Sequence, residues 1–458
     1  MNKFFLNSLI IIASTFSFFH DRPILCDSVR TFKVVIDPGH GGLMQSPPET
    51  YGDKFDSVSG RYLEPYKNGA TYKSRTEMEI VQGVGLEVKE ILDLTKTKKG
   101  WAKFKSYIKL FSEETPEWIQ IDGILSRNDN YKQRNFREKD DKNAPYRLYD
   151  YPDFATGKMM PGRISFINSQ KPVLVVSLHI NDMGMRKDYE KGGGMGVVLS
   201  PAYETFDLLK KISEGKKPKE EFLKSSWSNW MIFESKWSRL ENAIADSWIY
   251  FHGYWPTKDG KKTNLDRFEG YRFNMVQWKY RDKEGWESKV GKSGTYAMNH
   301  EKFQALGTFW DRERSNLEAM KREGGAEGYG GDNHYAGMEI LRFIQYGLRL
   351  QVKEKDTYKE PGKILHPYIS TYSLPMLINA ISAYLELGDI RSDRDIYYLT
   401  NKKRKVAVCI AVGIYSLLHG LKVKTIESTH IPVGEKLELG KYITKSGSNY
   451  FQDVIEEK

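Results

Sequence analysis

The sequence predicts an α/β fold: a twisted mixed or parallel sheet flanked by helices, with a large helical, aromatic-rich insertion. Three observations predict it. Short β-branched runs that stop at glycine, proline or histidine recur along the chain. Segments with apolar residues at helical spacing lie between them. Between residues 202 and 368 the character changes: helical stretches alternate with polar loops, and eight of the ten tryptophans fall there.

The elements follow in order. Thr31 to Ile36 ends in Val34-Val35-Ile36 and stops at Asp37-Pro38-Gly39, which reads as a buried strand closed by a turn. A polar loop rich in glycine and tyrosine runs to about Arg75. Ser74-x-x-Glu77 has the form of a helix start, and Ile80, Val81, Val84, Val88, Ile91 and Leu92 continue at helical spacing. A Lys-rich stretch containing tryptophan follows. Ile124 to Arg127 reads as a short strand, residues 128–142 as loop, and Gly162 to Asn168 as a helix. Val173 to Leu178 is a second buried strand ending at His179, and Gly196 to Leu199 a third. The stretch Glu323 to Gly337, rich in glycine, reads as a flexible loop. Ile381 to Leu385 is a further strand running into Glu386-Leu387-Gly388, and Val406 to Leu418 a long apolar helix.

The composition narrows the class. Of 458 residues, 40% are hydrophobic and 28% charged, the proportions of a soluble globular protein. The net charge of +10 favours anionic partners, but bases and acids are mixed along the chain and read as a solvated surface. Two cysteines, Cys26 and Cys409, are too few for a disulfide framework. Cys409 lies in an apolar run and reads as a small buried hydrophobe. Lys3 followed by the apolar stretch Leu6 to Phe19 reads as the core of a signal peptide, with residues 1–27 removed on export. That stretch is shorter than the ~20 apolar residues of a membrane span, and no other stretch is long and apolar enough for a stable one. The charged pair Asp21-Arg22 argues against a lipid attached at Cys26. The expected location is exported, in the periplasm or cell envelope. Nucleic acid has only net charge in its favour and is excluded as a partner, and Gly328 to Gly331 lacks the Lys-Ser/Thr ending of a phosphate loop.

Three residues stand where a sheet protein places a site. His40 follows the first strand across a Pro-Gly turn, His179 ends the second, and Glu77 opens the helix after the first loop. Ligands of open α/β sheets bind outside the carboxyl ends of the strands. Two imidazoles and a carboxylate suit catalytic zinc and leave a fourth position for water. A second carboxylate must then move a proton from water to the leaving group, and Glu386 at the end of the last strand is placed for it. Taken singly, a histidine at a strand end is a hydrogen-bonded turn residue and a glutamate at a helix start a cap or dipole partner. The remaining histidines show no partner pattern.

The stretch Val34 to Gly42, with its Asp37-Pro38-Gly39-His40-Gly41-Gly42, resembles the opening motif of the zinc-dependent N-acetylmuramoyl-L-alanine amidase family, the amidase_3 group. Further segments are similar in the same order. They are Glu77 to Val81 with Val84, Ser126 to Asp129, Arg163 to Asn168, Val176 to Asn181, Tyr384 to Gly388 and Ser392-Asp393. The resemblance covers residues 31–200 and 375–421. It implies His40, Glu77 and His179 as zinc ligands, Glu386 as general base and peptidoglycan as substrate. Glu79 is the reserve ligand; the register of Ile80, Val81, Val84 and Val88 favours Glu77. The implied activity is hydrolysis of the amide between N-acetylmuramic acid and L-alanine, in cell-wall remodelling or daughter-cell separation. The alternatives are a non-catalytic or autoinhibited peptidoglycan-binding protein, or another zinc amide hydrolase such as a stem-peptide carboxypeptidase.

The sequence departs from the family's pattern in four places, one of them the further residues between the helix after Glu77 and the Ser126-Arg127 segment. The loop between His40 and Glu77 is long, Asp389 stands where an aromatic is usual, and about half the chain separates His179 from Glu386. The expected domains are therefore a catalytic domain over 31–425, interrupted by an inserted subdomain over 202–368, and a C-terminal tail over 426–458. Trp227, Trp230, Phe233 and Trp237 fall near helical spacing and read first as a packed core, with stacking on sugars as the second reading. The insertion could shield the site as a lid, and it is where a protein activator would act.

Overall fold

The structure is a computed structural model. It describes residues 29–41, 53–56, 61–64, 69–127, 147–148, 151–152, 156–182, 193–199, 216–217, 329–351, 353, 355–365, 368–369, 378, 380–425 and 431–442. The expected signal peptide, the loop over 128–142 and the aromatic set from Trp227 to Trp255 lie outside the described residues.

A six-stranded mixed sheet forms the centre. Its strands are β1 (Thr31–Pro38), β6 (Gln120–Leu125), β9 (Leu174–Asn181), β10 (Gly196–Leu199), β11 (Tyr368–Ile369) and β12 (Ile381–Asp389), in the spatial order β11-β10-β12-β9-β1-β6. β6, β1, β9 and β12 run parallel, and β10 pairs antiparallel with β12. The inner parallel strands β1, β9 and β12 are built on apolar runs because both faces are covered, while the edge strand β6 buries alternate residues. Val34, Val35, Ile36, Leu174, Val175 and Val176 are all fully buried. β9 continues to Asn181, two residues beyond the end expected at His179, because Ile180 is buried and Asn181 still pairs with Asp389 of β12.

The polar loop before Arg75 contains two short hairpins. β2 (Asp53–Asp56) pairs with β3 (Arg61–Glu64), and β4 (Thr71–Tyr72) with β5 (Arg75–Thr76). A third, β7 (Tyr151–Pro152) with β8 (Met159–Met160), precedes the short helix α3 (Arg163–Ser169). The helix α1 (Glu77–Asp93) starts two residues later than a Ser74 cap would place it. Its N-cap is Thr76, and the Thr76 hydroxyl bonds the Glu79 carboxylate at 2.5 Å. The Lys- and Trp-containing stretch is a helix, α2 (Lys98–Ile108). Thr97 caps it by accepting from the Gly100 amide at 3.1 Å, and it buries Trp101, Phe104 and Ile108 at 3–4-residue spacing.

The stretch expected as a flexible loop over Glu323 to Gly337 is helical from Tyr329, the start of α4 (Tyr329–Gln351). Gly330, Gly331 and Gly337 each cost roughly 1 kcal/mol against alanine in a helix. Burial of Ala336, Ile340, Leu341, Phe343, Ile344 and Leu348 outweighs that cost. α4 lies within the span 202–368, and its apolar side belongs to the same core as the sheet. After β12 come α5 (Asp393–Asn401) and α6 (Lys403–His419). Every residue from Val406 to Leu418 is buried, since α6 is enclosed by α1, α4 and α2. α1, α4 and α6 cover one face of the sheet; α3, with Ile167 against Val35 and Val175, covers part of the other.

Part of the tail is anchored. Glu339 of α4, fully buried, accepts the amides of Val433 (3.1 Å) and Gly434 (2.7 Å), and Tyr335 donates to the Glu435 carbonyl at 2.7 Å. Among the described residues no helix is long and apolar enough to cross a membrane.

Candidate metal and catalytic site

The connectivity places a crevice between β1 and β9. From β1 the chain passes through α1 to β6 on one side, then through α3 to β9 on the other. That reversal is the topological switch point, where open α/β sheets bind their ligands. His40 lies just past the end of β1 and His179 near the end of β9. The Gly39 amide donates to the Leu178 carbonyl at 2.8 Å and extends the pairing of the two strands into the turn.

His40, Glu77 and His179 come together. One donor atom from each lies within 4.8 Å of the others. Glu77 Oε1 is 3.3 Å from His40 Nε2 and 3.0 Å from His179 Nδ1. The two imidazole rings meet edge to face, with centroids 4.9 Å apart. Glu77 is oriented from behind by the chain itself: the Ile180 amide donates to Oε1 at 2.9 Å and the Ala70 amide to Oε2 at 2.6 Å. Burial alone would raise the Glu77 pKa. The His40 charge and hydrogen bonds from both histidines outweigh it and hold the carboxyl far below the usual range. His40 is a quarter exposed while Glu77 and His179 are almost fully buried, so the site opens on the His40 side.

Glu79 does not join the cluster. Two residues along a helix is a rotation of roughly 200°, which turns Glu79 outward to solvent and to the Thr76 hydroxyl. Glu386 stands on β12 as the Cα partner of His179, so the two residues project from the same face on adjacent strands. Tyr384, two residues earlier on that face, stacks its ring on the His179 imidazole at 4.2 Å and 11°. Glu386 is itself buried.

A polar brace holds the turn that carries His40. His40 has a left-handed backbone, φ 59°, which is uncommon for a side chain with a Cβ and persists only when its surroundings fix it. Arg127, buried, donates to the carbonyls of Pro38 (2.8 Å), Gly39 (3.0 Å) and Met78 (2.7 Å). Arg163 donates to the carbonyls of Pro38 (2.9 Å) and His40 (3.0 Å). Asp37, fully buried, accepts from the Ser126 hydroxyl at 2.5 Å. Gly39 is required by space: a Cβ there would lie 2.2 Å from His179 Cε1. Sequence reasoning assigns no role to Arg127, Arg163 or Tyr384. The available signal is Arg127, two residues past the end of β6, where it can satisfy carbonyls that the sheet leaves unpaired.

Two imidazoles and an ionised carboxylate converging within one coordination radius are a donor set that zinc accepts. No protein-family model matches the sequence, and no curated protein matches it. Solved structures similar to this chain include the apo form of the N-acetylmuramyl-L-alanine amidase Ami1 from Mycobacterium abscessus (12% identity, 85% of this chain and 99% of that chain, TM-score 0.33). Two more are the N-acetylmuramoyl-L-alanine amidase from Clostridium difficile 630 (10% identity, 84% and 96%, TM-score 0.29) and the N-acetylmuramoyl-L-alanine amidase AmiC2 of Nostoc punctiforme (12% identity, 84% and 95%, TM-score 0.30).

Proposed function

We propose that this protein is a zinc hydrolase of the cell envelope that cleaves the amide between N-acetylmuramic acid and the first alanine of the peptidoglycan stem peptide. The observation that carries the reading is the convergence of His40, Glu77 and His179 at the switch point, with Glu386 in register beside His179. The choice of bond rests on the ordered motif resemblance that runs from Val34 to Asp393. Export through the segment 1–27 is part of the same reading.

His40, Glu77 and His179 would hold the ion. Zinc bound there supplies a Lewis acid for the scissile carbonyl and a water whose pKa falls to about 7. Glu386 takes a proton from the water as its oxygen bonds to the lactyl carbonyl carbon. It returns that proton to the alanine nitrogen as the C–N bond breaks, which leaves a lactyl carboxyl group and a free amine. Tyr384 keeps the His179 ring in plane, and the Ile180 and Ala70 amides keep Glu77 aimed at both histidines.

Glu386→Gln tests the division of roles. The variant should bind zinc as the native protein does and lose about 10²–10⁴-fold in turnover, the usual worth of a positioned acid–base group. Native turnover in this variant removes Glu386 from the mechanism.

A further inference from the structure

The strand that carries Glu386 is irregular just beyond it. Glu386 pairs with His179 and Asp389 with Asn181, so β12 uses three steps where β9 uses two. Such a bulge bends the strand and re-aims the side chains beside it. We propose that Asp395 fixes this bulge and is thereby the positioning residue for Glu386; this rests on the reading of Glu386 as the base.

Asp395 is the third residue of α5 and is 4% exposed. Ser392 caps the helix by accepting the Asp395 amide at 3.2 Å. A carboxylate at this position ordinarily reaches back to the cap residue's amide. Here the Ser392 amide bonds the Asp389 carbonyl instead, at 2.9 Å, and the Asp395 carboxylate is turned into the sheet. Its Oδ2 accepts the Asp389 amide at 3.0 Å and the Gly194 amide at 2.9 Å. The first lies three residues after Glu386. The second lies two residues before Gly196, the partner of Glu386 on β10. One oxygen therefore ties the residue that ends the bulge on β12 to the segment that leads into β10, on the side of β12 away from β9. Arg394 Nε binds the other oxygen at 3.1 Å.

The glycine after Glu386 has the same origin. A Cβ at Gly388 would lie 2.7 Å from the Asp395 Cβ, so the spacing of Glu386, Gly388 and Asp395 records one packing requirement. A carboxylate held by two backbone amides spends its geometry on the backbone, and backbone placement decides where the Glu386 carboxyl sits.

Three variants of the full chain, loaded with zinc and assayed on a soluble N-acetylmuramoyl peptide, test this. Asp395→Ala should lower kcat on the order of 10²-fold, the cost of a misplacement near 1 Å, with KM and zinc content unchanged. Asp395→Asn keeps an oxygen that can accept both amides and loses only the charged bond to Arg394. Burial already pushes the Asp395 carboxyl above its usual range, so a neutral group suits the place, and kcat should stay within roughly tenfold of native. Gly388→Ala presses on the same contact from the strand side and should reproduce the Asp395→Ala loss. The proposal is overturned if Asp395→Ala or Gly388→Ala folds, holds zinc and keeps native kcat, or if Asp395→Asn falls as far as Asp395→Ala. Should Asp395→Ala not fold, the other two variants decide by the same outcomes. Native turnover in Glu386→Gln would instead remove the base reading, a result that does not involve Asp395.

Discussion

On one face of the sheet Val34, Ile36, Val176, Leu178 and Leu385 meet α1, α4 and α6 in a continuous apolar core. On the other face the same strands carry Asp37, Ser177, His179 and Glu386, all buried and all polar. The first face is held by area removed from water, which is non-directional and spread over many side chains. The second depends on hydrogen bonds whose partners are single atoms: two arginines on four carbonyls, one serine on one aspartate, two amides on one glutamate. A loss on the first face is shared among neighbours. A loss on the second leaves a named group unsatisfied beside His40, Glu77 and His179.

The largest contrast should come from Arg127→Met. The Gly39 and Met78 carbonyls lose their arginine donor while Pro38 keeps the one from Arg163, at roughly 1–3 kcal/mol for each lost bond before relaxation, so about 2 kcal/mol or more of stability should go. The His40 turn should loosen with it, and zinc affinity should fall. Urea unfolding and zinc titration read the two effects separately. A variant as stable and as tight for zinc as the native protein would remove the brace from the account.

Ile340→Ala should cost about 2–5 kcal/mol through the cavity it leaves in α4. Activity per folded molecule and zinc affinity should stay native, because the change is on the apolar face. A loss of zinc affinity in the folded variant would show that the two faces are coupled. Arg404→Ala removes a half-buried contact to Glu87 (2.6 Å) and an exposed one to Glu90 (3.1 Å). It should cost no more than about 1 kcal/mol and less at high salt. A larger loss would mean that the α1–α6 seam relies on charge as well as packing.

The same division explains what the sequence made legible. β1, β9, β12 and α6 are built on apolar runs, visible because burial on both sides leaves few polar positions in them. His40 and His179 are visible as the residues at which two such runs stop. The pairing of Glu77 with them needed only the helical register, since Glu77 and Glu79 fall on opposite sides of α1. α4 was hidden by its glycines, whose local cost is outweighed only by contacts with residues far away in the chain. The cap at Thr76 was masked by Ser74, which has the same spacing to a glutamate. The roles of Arg127, Arg163, Tyr384 and Asp395 depend on register and on which carbonyls or amides the turns leave open. Neither periodicity nor spacing carries that information. The anchoring of the tail by Glu339 is of the same kind, a buried carboxylate paired with amides almost a hundred residues away.

The central claim is most directly tested by incubating the purified zinc-loaded protein, from Ser28 onward, with intact peptidoglycan and identifying the products by mass spectrometry. The account predicts free stem peptides that begin with alanine, and their disappearance when the metal is chelated. Shortened peptides still attached to muramic acid, or no release at all from a sample shown to contain zinc, would contradict it.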